Sequence, residues 1–237
     1  MAVQRELIGR SVMAPRLLII SIMNARFFAP LFLFAIACTG NGAQDGRVTA
    51  SSLVREMNLA RQNPAQYATY IEELRSHFDG KYIVYPGRTR VLTKEGTRAL
   101  DDAIRFLRHA RPQAPLAFSP GMSRACADHC VDQIGGRMGH DGGDRSTPGM
   151  RISRYGQWGG GWGENLAYGE TNARDIVMAL IIDDGLPARK HRKNIFNPDF
   201  NVAGAAFGPH ARLRTVCSID FAGAYAERGQ TLVARNF

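Results

Sequence analysis

"WGGGWGENLAYGE", Trp158 to Glu170, sets a single carboxylate, Glu164, at the end of a run of glycines and tryptophans. A glycine run reads as slack loop, because backbone without a Cβ has more freedom to lose on folding. Tryptophan reads instead as packing. The stretch closes a longer one, residues 135–170, which is dense in glycine and shows neither helical nor strand periodicity. A connection of that length without regular structure is uncommon in a compact domain unless it carries function. Its aromatic residues argue against disorder. The expectation is therefore an ordered loop, in which Glu164 is either ordinary loop decoration or half of a site.

Working outward, the segments before this stretch read as helices. From Ser51 or Ser52, Leu53, Met57, Leu59, Ala60, Tyr67, Tyr70 and Ile71 fall at helical spacing, with Pro64 as a break or a new first turn. Residues 77–96 read as loop with a short β-prone piece, Tyr82 to Tyr85. A second helix begins at Thr97, with Leu100, Ile104, Phe106 and Leu107 apolar, and stops before Pro112. Ser119-Pro120 opens a third, in which Met122, Ala125, Cys126, His129, Cys130 and Ile134 share one side. After the glycine-rich stretch, Asn172 opens a helix closed by Gly185. Residues 201–207, 213–221 and 230–237 then read as strands. Helices first and strands last indicate an α+β domain over 48–237, with helices against a small antiparallel sheet.

At 237 residues with 45% hydrophobic content, the chain is long enough to bury a core without staples. Basic residues outnumber acidic ones 30 to 21, a net charge of +9. The arginines are scattered and form no groove-reading motif, so nucleic acid is not an expected partner. Residues 13–38 are nearly all apolar, with Arg16 and Arg26 as the only charges. Met23 to Arg26 followed by the apolar Phe27 to Ala37 is the pattern of an export signal over 1–37. The run is broken by Pro30 and short for a membrane span; an uncleaved anchor is the rival reading. "AIAC", Ala35 to Cys38, resembles a bacterial lipoprotein signal in which Cys38 becomes the lipidated first residue, and ordinary cleavage after Ala37 fits the same letters. Removing 1–37 takes away four arginines and Glu6, lowering the charge to +6. Residues 38–47 read as a polar tether.

An exported chain supports disulfides. Cys126 and Cys130 stand one helical turn apart, poorly placed to join each other. Cys217 pairs with either, or all three are buried thiols. A zinc site using His129 beside them lacks a CxxC pair.

There is no GxSxG, HExxH or GxxxxGK signature. What remains is His140 in "RMGHDGG", Glu164, and His191 in "PARKHRKNIFNP". Two imidazoles and a carboxylate suit a divalent metal such as zinc. They equally suit general acid–base work near neutral pH.

"GMSRACADHCVDQIGGRMGHDGG", "TPGMRISRYGQWGGGWGENLAYGE", "HRKNIFNPDFNVAGAAFG" and "VCSIDFAGAY" follow in an order that resembles the bacterial branch of the CAP (SCP-like) superfamily. That superfamily includes cysteine-rich secretory proteins, pathogenesis-related proteins and venom antigens. "EMNLARQNPAQYA", Glu56 to Ala68, resembles the family's first helix, with Asn58 and Arg61 in familiar places. The resemblance implies an α-β-α sandwich, a small antiparallel sheet between helical layers, and a cleft holding two histidines and two acids. His140 matches the first histidine, Glu164 the "GEN" glutamate and His191 the second histidine. Asp183 falls at the second acid, with Leu180 in place of the family's tryptophan and a longer loop, "GLPARK", before the histidine. The implied function is an exported or envelope-anchored binding module for a lipid, polymer or protein ligand, touching the membrane only through its N-terminal signal or lipid. Zinc or another divalent ion would sit on His140, His191 and Glu164, or Glu164 would orient an imidazole. The alternative is a metal-assisted hydrolase or peptidase with Glu164 as general base.

Overall fold

The computed structural model describes residues 48–85, 87 and 90–231. The leader 1–37, Cys38, the rest of the tether to Arg47 and the last strand expected beyond Thr231 lie outside the described residues.

Helix α1, Ala50–Gln62, starts at Thr49. Thr49 Oγ1 accepts from Ser52 N (3.1 Å) and Ser52 Oγ from Thr49 N (2.9 Å), a reciprocal capping box. Pro64 is the first residue of α2, Pro64–Glu73, where its missing N–H costs nothing. A single 3-10 turn leads into three two-residue strands, β1 (Phe78–Asp79), β2 (Tyr82–Ile83) and β3 (Val91–Leu92), which form a small antiparallel sheet. Helix α3, Thr97–His109, buries Leu100, Ile104 and Leu107. Then come β4 (Ala117–Phe118), α4 (Pro120–Gln133, capped by Ser119) and α5 (Pro148–Ser153, capped by Thr147). Strand β5 covers Gly156–Tyr168, α6 Ala173–Ile182, α7 Lys190–Ile195, β6 Val202–His210 and β7 Arg214–Glu227.

The main sheet has the order β4-β6-β7-β5, antiparallel except where β4 joins β6 in parallel. Side chains on successive strand residues leave from opposite faces. One face carries Ala203, Ala205, Cys217, Ile219 and Phe221 into a core shared with Leu53, Ile71, Leu100 and Ile181. The other carries Trp162 and Ala222 against Met122 and Ala125 of α4 and Ile152 of α5. Helices thus cover both faces, the expected α-β-α sandwich. Among the described residues, the buried members of the two cores run from Leu53 to Ala222.

The expectation of a loop through residues 135–170 is corrected by β5. The stretch that reads as slack is a 13-residue strand paired with β7 from Gly156↔Glu227 to Tyr168↔Val216. Its register shifts between Gly159 and Trp162, where Gly160 (φ 71°) and Gly161 (φ 101°) take left-handed conformations. This is a bulge that glycine permits without strain. At Gly163 the reason is space: a Cβ there would lie 3.2 Å from the Phe200 ring. The glycines serve close packing and one bulge, which erases the alternation by which a strand is recognised.

Asn58 and Arg61 hold the frame. Asn58 Oδ1 accepts from Leu116 N (2.7 Å) and its amide donates to Leu116 O (2.9 Å). The buried Arg61 guanidinium donates to the carbonyls of Ala114, Ile195 and Phe200 (2.9, 2.6 and 3.2 Å). It thereby ties α1 to the segment before β4 and to the end of α7 and the chain after it.

Candidate functional site

Strand alternation sends Glu164 toward α4 and α5, the face it shares with Ser218 and Asp220 of β7. Glu164 is buried, and each of its oxygens is engaged. Oε1 accepts from His140 Nδ1 at 2.7 Å. Oε2 accepts from Arg151 Nη2 at 2.7 Å and from Ser218 Oγ at 3.2 Å. His129 Nε2 lies 3.9 Å from Oε1. Burial pushes the Glu164 carboxyl up, but the His140 hydrogen bond and the positive charges of His129, Arg151 and His140 outweigh it. The acid is held below the usual carboxylate range. Arg151 is wholly buried and also donates to His140 O (3.0 Å) and Ser146 O (2.8 Å), so it fixes the histidine's backbone along with the glutamate.

Asp220 stands opposite Glu164 in the β5–β7 register. Burial and the neighbouring Glu164 charge raise its carboxyl well above the ordinary range. Cys126 Sγ donates to its Oδ2 at 3.3 Å, while Oδ1 has no protein partner. Arg151 thus hydrogen-bonds Glu164 and not Asp220, whose carboxyl holds its proton more tightly than an ordinary one.

The next residue, Asn165, leaves β5 on the other face, and His191 is found there. Asn165 Nδ2 donates to His191 O (3.0 Å), and Asn194 Nδ2 donates to Asn165 Oδ1 (2.9 Å). His191 Nδ1 lies 2.8 Å from Asp183 Oδ1, and its backbone N–H donates to Asp183 Oδ2 (2.9 Å). Asp183 caps α6 in a left-handed conformation (φ 57°), one that aspartate tolerates better than most residues. The longer loop "GLPARK" is held by its own arginine, because Arg189 donates to Asp183 O (2.7 Å), Glu95 (2.7 and 2.8 Å) and Asp102 (3.1 Å). Asp184, beside Asp183, accepts from the backbone of Lys94 and Glu95 and takes no part in the pair.

A carboxylate only accepts, so each Nδ1 carries a proton and donates it to its acid. The structure thus builds two histidine–acid pairs, His140–Glu164 and His191–Asp183, on either face of edge strand β5. They are joined through Glu164-Asn165 and Asn194, whose amide also donates to Glu164 O (3.4 Å).

The profile of the cysteine-rich secretory protein family, CAP, matches residues 102–221, which contain all four of these residues. The chain belongs to the CAP family. No curated protein matches its sequence. Among solved structures it is similar to an extracellular SCP-domain protein from Bacillus anthracis, at 20% identity and TM-score 0.39, covering 53% of this chain and 39% of that one. An outer surface protein of Borrelia burgdorferi gives 17% identity and TM-score 0.37, with 46% and 78% covered. A cysteine-rich secretory protein of Staphylococcus aureus gives 11% and 0.32, with 57% and 41% covered. This chain thus spans well under half the length of the Bacillus protein.

In this CAP domain Glu164 and His191 already have protein partners. Both Glu164 oxygens are committed to Arg151, His140 and Ser218, and His191 is held to Asp183 on the other sheet face. The alternative in which Glu164 orients an imidazole agrees with the geometry. The bridge from Cys217 to Cys126 or Cys130 is not formed. All three are free and buried, with Cys126 Sγ engaged by Gly204 O (3.5 Å) and Asp220.

Arg151, Ser218 and Asp220 escaped sequence reasoning. Their signals are an arginine inside "RISRYG" and polar residues alternating with Ile219 and Phe221 in an otherwise apolar strand.

Proposed function

We propose that this CAP domain is an exported interaction module whose His140 and His191 present oriented Nε2 edges to an envelope or extracellular ligand. The observation that carries this reading is the commitment of both acids. Glu164 and Asp183 are each spent holding one imidazole by its Nδ1, as acids do when they set a ring's tautomer and direction. Export rests on the apolar leader and the "AIAC" junction, with Cys38 as lipid attachment point or first mature residue. A basic balance of charge suits an anionic envelope polymer or lipid.

Hydrolysis with Glu164 as general base draws less support. A useful base has a pKa near the working pH. Glu164 is held low by Arg151 and His140, and taking up a proton would break a buried ion pair.

The test is binding of the purified chain to isolated envelope polymer, lipid extract and divalent zinc, wild type against His140→Ala plus His191→Ala. At least a tenfold loss for one ligand class is expected. Equal binding of every class by both proteins sinks the reading. Turnover of peptide or cell-wall fragments that Glu164→Gln abolishes would replace it with the hydrolase.

A further inference from the structure

Nine large hydrophobic side chains are exposed among the described residues, and four of them gather at one end of the domain. Val131 (65% exposed) and Ile134 (45%) lie one turn apart at the end of α4, Met138 (46%) follows in the next turn, and Leu213 (36%) sits on the turn between β6 and β7. These two pieces of chain are fastened together. Ala211 N donates to Ile134 O (2.9 Å), His210 Nε2 lies 2.9 Å from Arg137 O, and the Arg212 stem packs against Gly136. The four side chains therefore stand on a rigid platform, and no core residue calls for their exposure.

The same platform exposes Arg137, Arg212 and Arg214. None of the three has a carboxylate within ion-pairing distance among the described residues. Arginines on the α2–α3 side behave differently: Arg75 pairs with Asp101, Arg108 with Glu72, and Arg189 with Glu95 and Asp102. Two acids lie nearby in sequence. Asp132 is half-buried against the Gly142–Gly143 turn, and Asp141 is exposed beyond His140. An apolar cluster rimmed by unpaired arginines marks an interaction surface, and its charge complements phosphate.

We propose that the end of α4 together with the β6–β7 turn docks on an anionic bilayer surface. Val131, Ile134, Met138 and Leu213 enter the interface while Arg137, Arg212 and Arg214 rest among phosphate headgroups. The surface goes beyond the histidine pairs proposed above and uses none of their residues. Met138 is two residues from His140, so docking brings His140 near the lipid surface.

The test is sedimentation of residues 48–237, which carry both cores and lack the leader, with vesicles of phosphatidylcholine alone or with added phosphatidylglycerol. Binding only to phosphatidylglycerol vesicles is expected, weakening as salt rises. Arg137→Gln, Arg212→Gln and Arg214→Gln should each weaken it roughly fivefold. Met138→Asp plus Leu213→Asp should weaken it at least about tenfold. Circular dichroism confirms that these surface variants stay folded. Met138→Asp plus Leu213→Asp should leave binding of isolated envelope polymer as in wild type, so failure of the histidine reading and failure of this one are distinguishable. Absence of phosphatidylglycerol-dependent binding, or binding untouched by both sets of variants, overturns the proposal. The first outcome would assign the patch to a protein partner.

Discussion

Glu164 and Asp220 face each other directly across β5 and β7, two buried carboxyls with one guanidinium, that of Arg151, between them and charge balance. Glu164 holds His140, and its carboxyl is lowered; Asp220 accepts from Cys126 Sγ, and its carboxyl is raised. That division of labour makes opposite predictions for the two acids.

Asp220→Asn should be tolerated, and at alkaline pH it should stabilise. The native carboxyl titrates well above its unfolded value, so the native state holds a proton that the unfolded chain has released. In wild type, stability contributed at this position is full below the unfolded pKa, about 4, and falls as pH rises toward the native pKa. Asparagine removes that slope. Thermal melts from pH 5 to 9 should show the variant gaining on wild type as pH increases; parallel curves would mean that Asp220 is ionised in the native state.

Arg151→Ala should cost about 3–5 kcal/mol, because it leaves Glu164 buried and uncompensated. The Glu164 carboxyl lies below its unfolded value, so its contribution is present above about pH 4 and is lost as pH falls through the lower native pKa. Urea unfolding of wild type between pH 7 and 3 should therefore show a fall in stability at the acid end that Glu164→Gln lacks.

Asn165→Ala should cost about 1–3 kcal/mol, since it leaves His191 O and the Asn194 amide without their shared buried partner. Faster hydrogen exchange confined to α7 would locate the damage. Unchanged exchange there would show that Asp183 alone positions His191.

Gly204→Ala should cost about 3 kcal/mol or prevent folding, as a Cβ on β6 would lie 2.4 Å from the backbone of Met122 and Ser123 in α4. Gly163→Ala meets the movable rim of Phe200 at 3.2 Å and should cost less, about 1–2 kcal/mol. Chemical denaturation of the two variants orders them.

Cys126, Cys130 and Cys217 should resist alkylation in the native protein and react fully after unfolding without reductant. Burial raises all three thiols, that of Cys130 to about 12, so almost no thiolate is present at neutral pH. Recovery of two unreactive sulfurs in the unfolded, unreduced chain would reveal a disulfide.

The sequence by itself determined the helices and their starts: Ser119, Asn172 and Pro64 stand where caps and first turns require them, and α3 shows its apolar stripe plainly. It also determined the membership of His140, Glu164 and His191, because "GEN" and "HRKNI" are contiguous strings. The physical reason is that caps, periodicity and motifs are local and need no partner to be legible. Tertiary structure decided what those residues do. The "WGGGWGENLAYGE" stretch is a strand only because β7 supplies its hydrogen bonds and because Phe200 and Ala226 leave no room for side chains at Gly163 and Gly156. Glu164 is an orienting acid only because Arg151 and Ser218, 13 and 54 residues away in the chain, reach it. Strand alternation then parts Glu164 from Asn165 and gives each histidine its own carboxylate, and no spacing in the sequence records that separation.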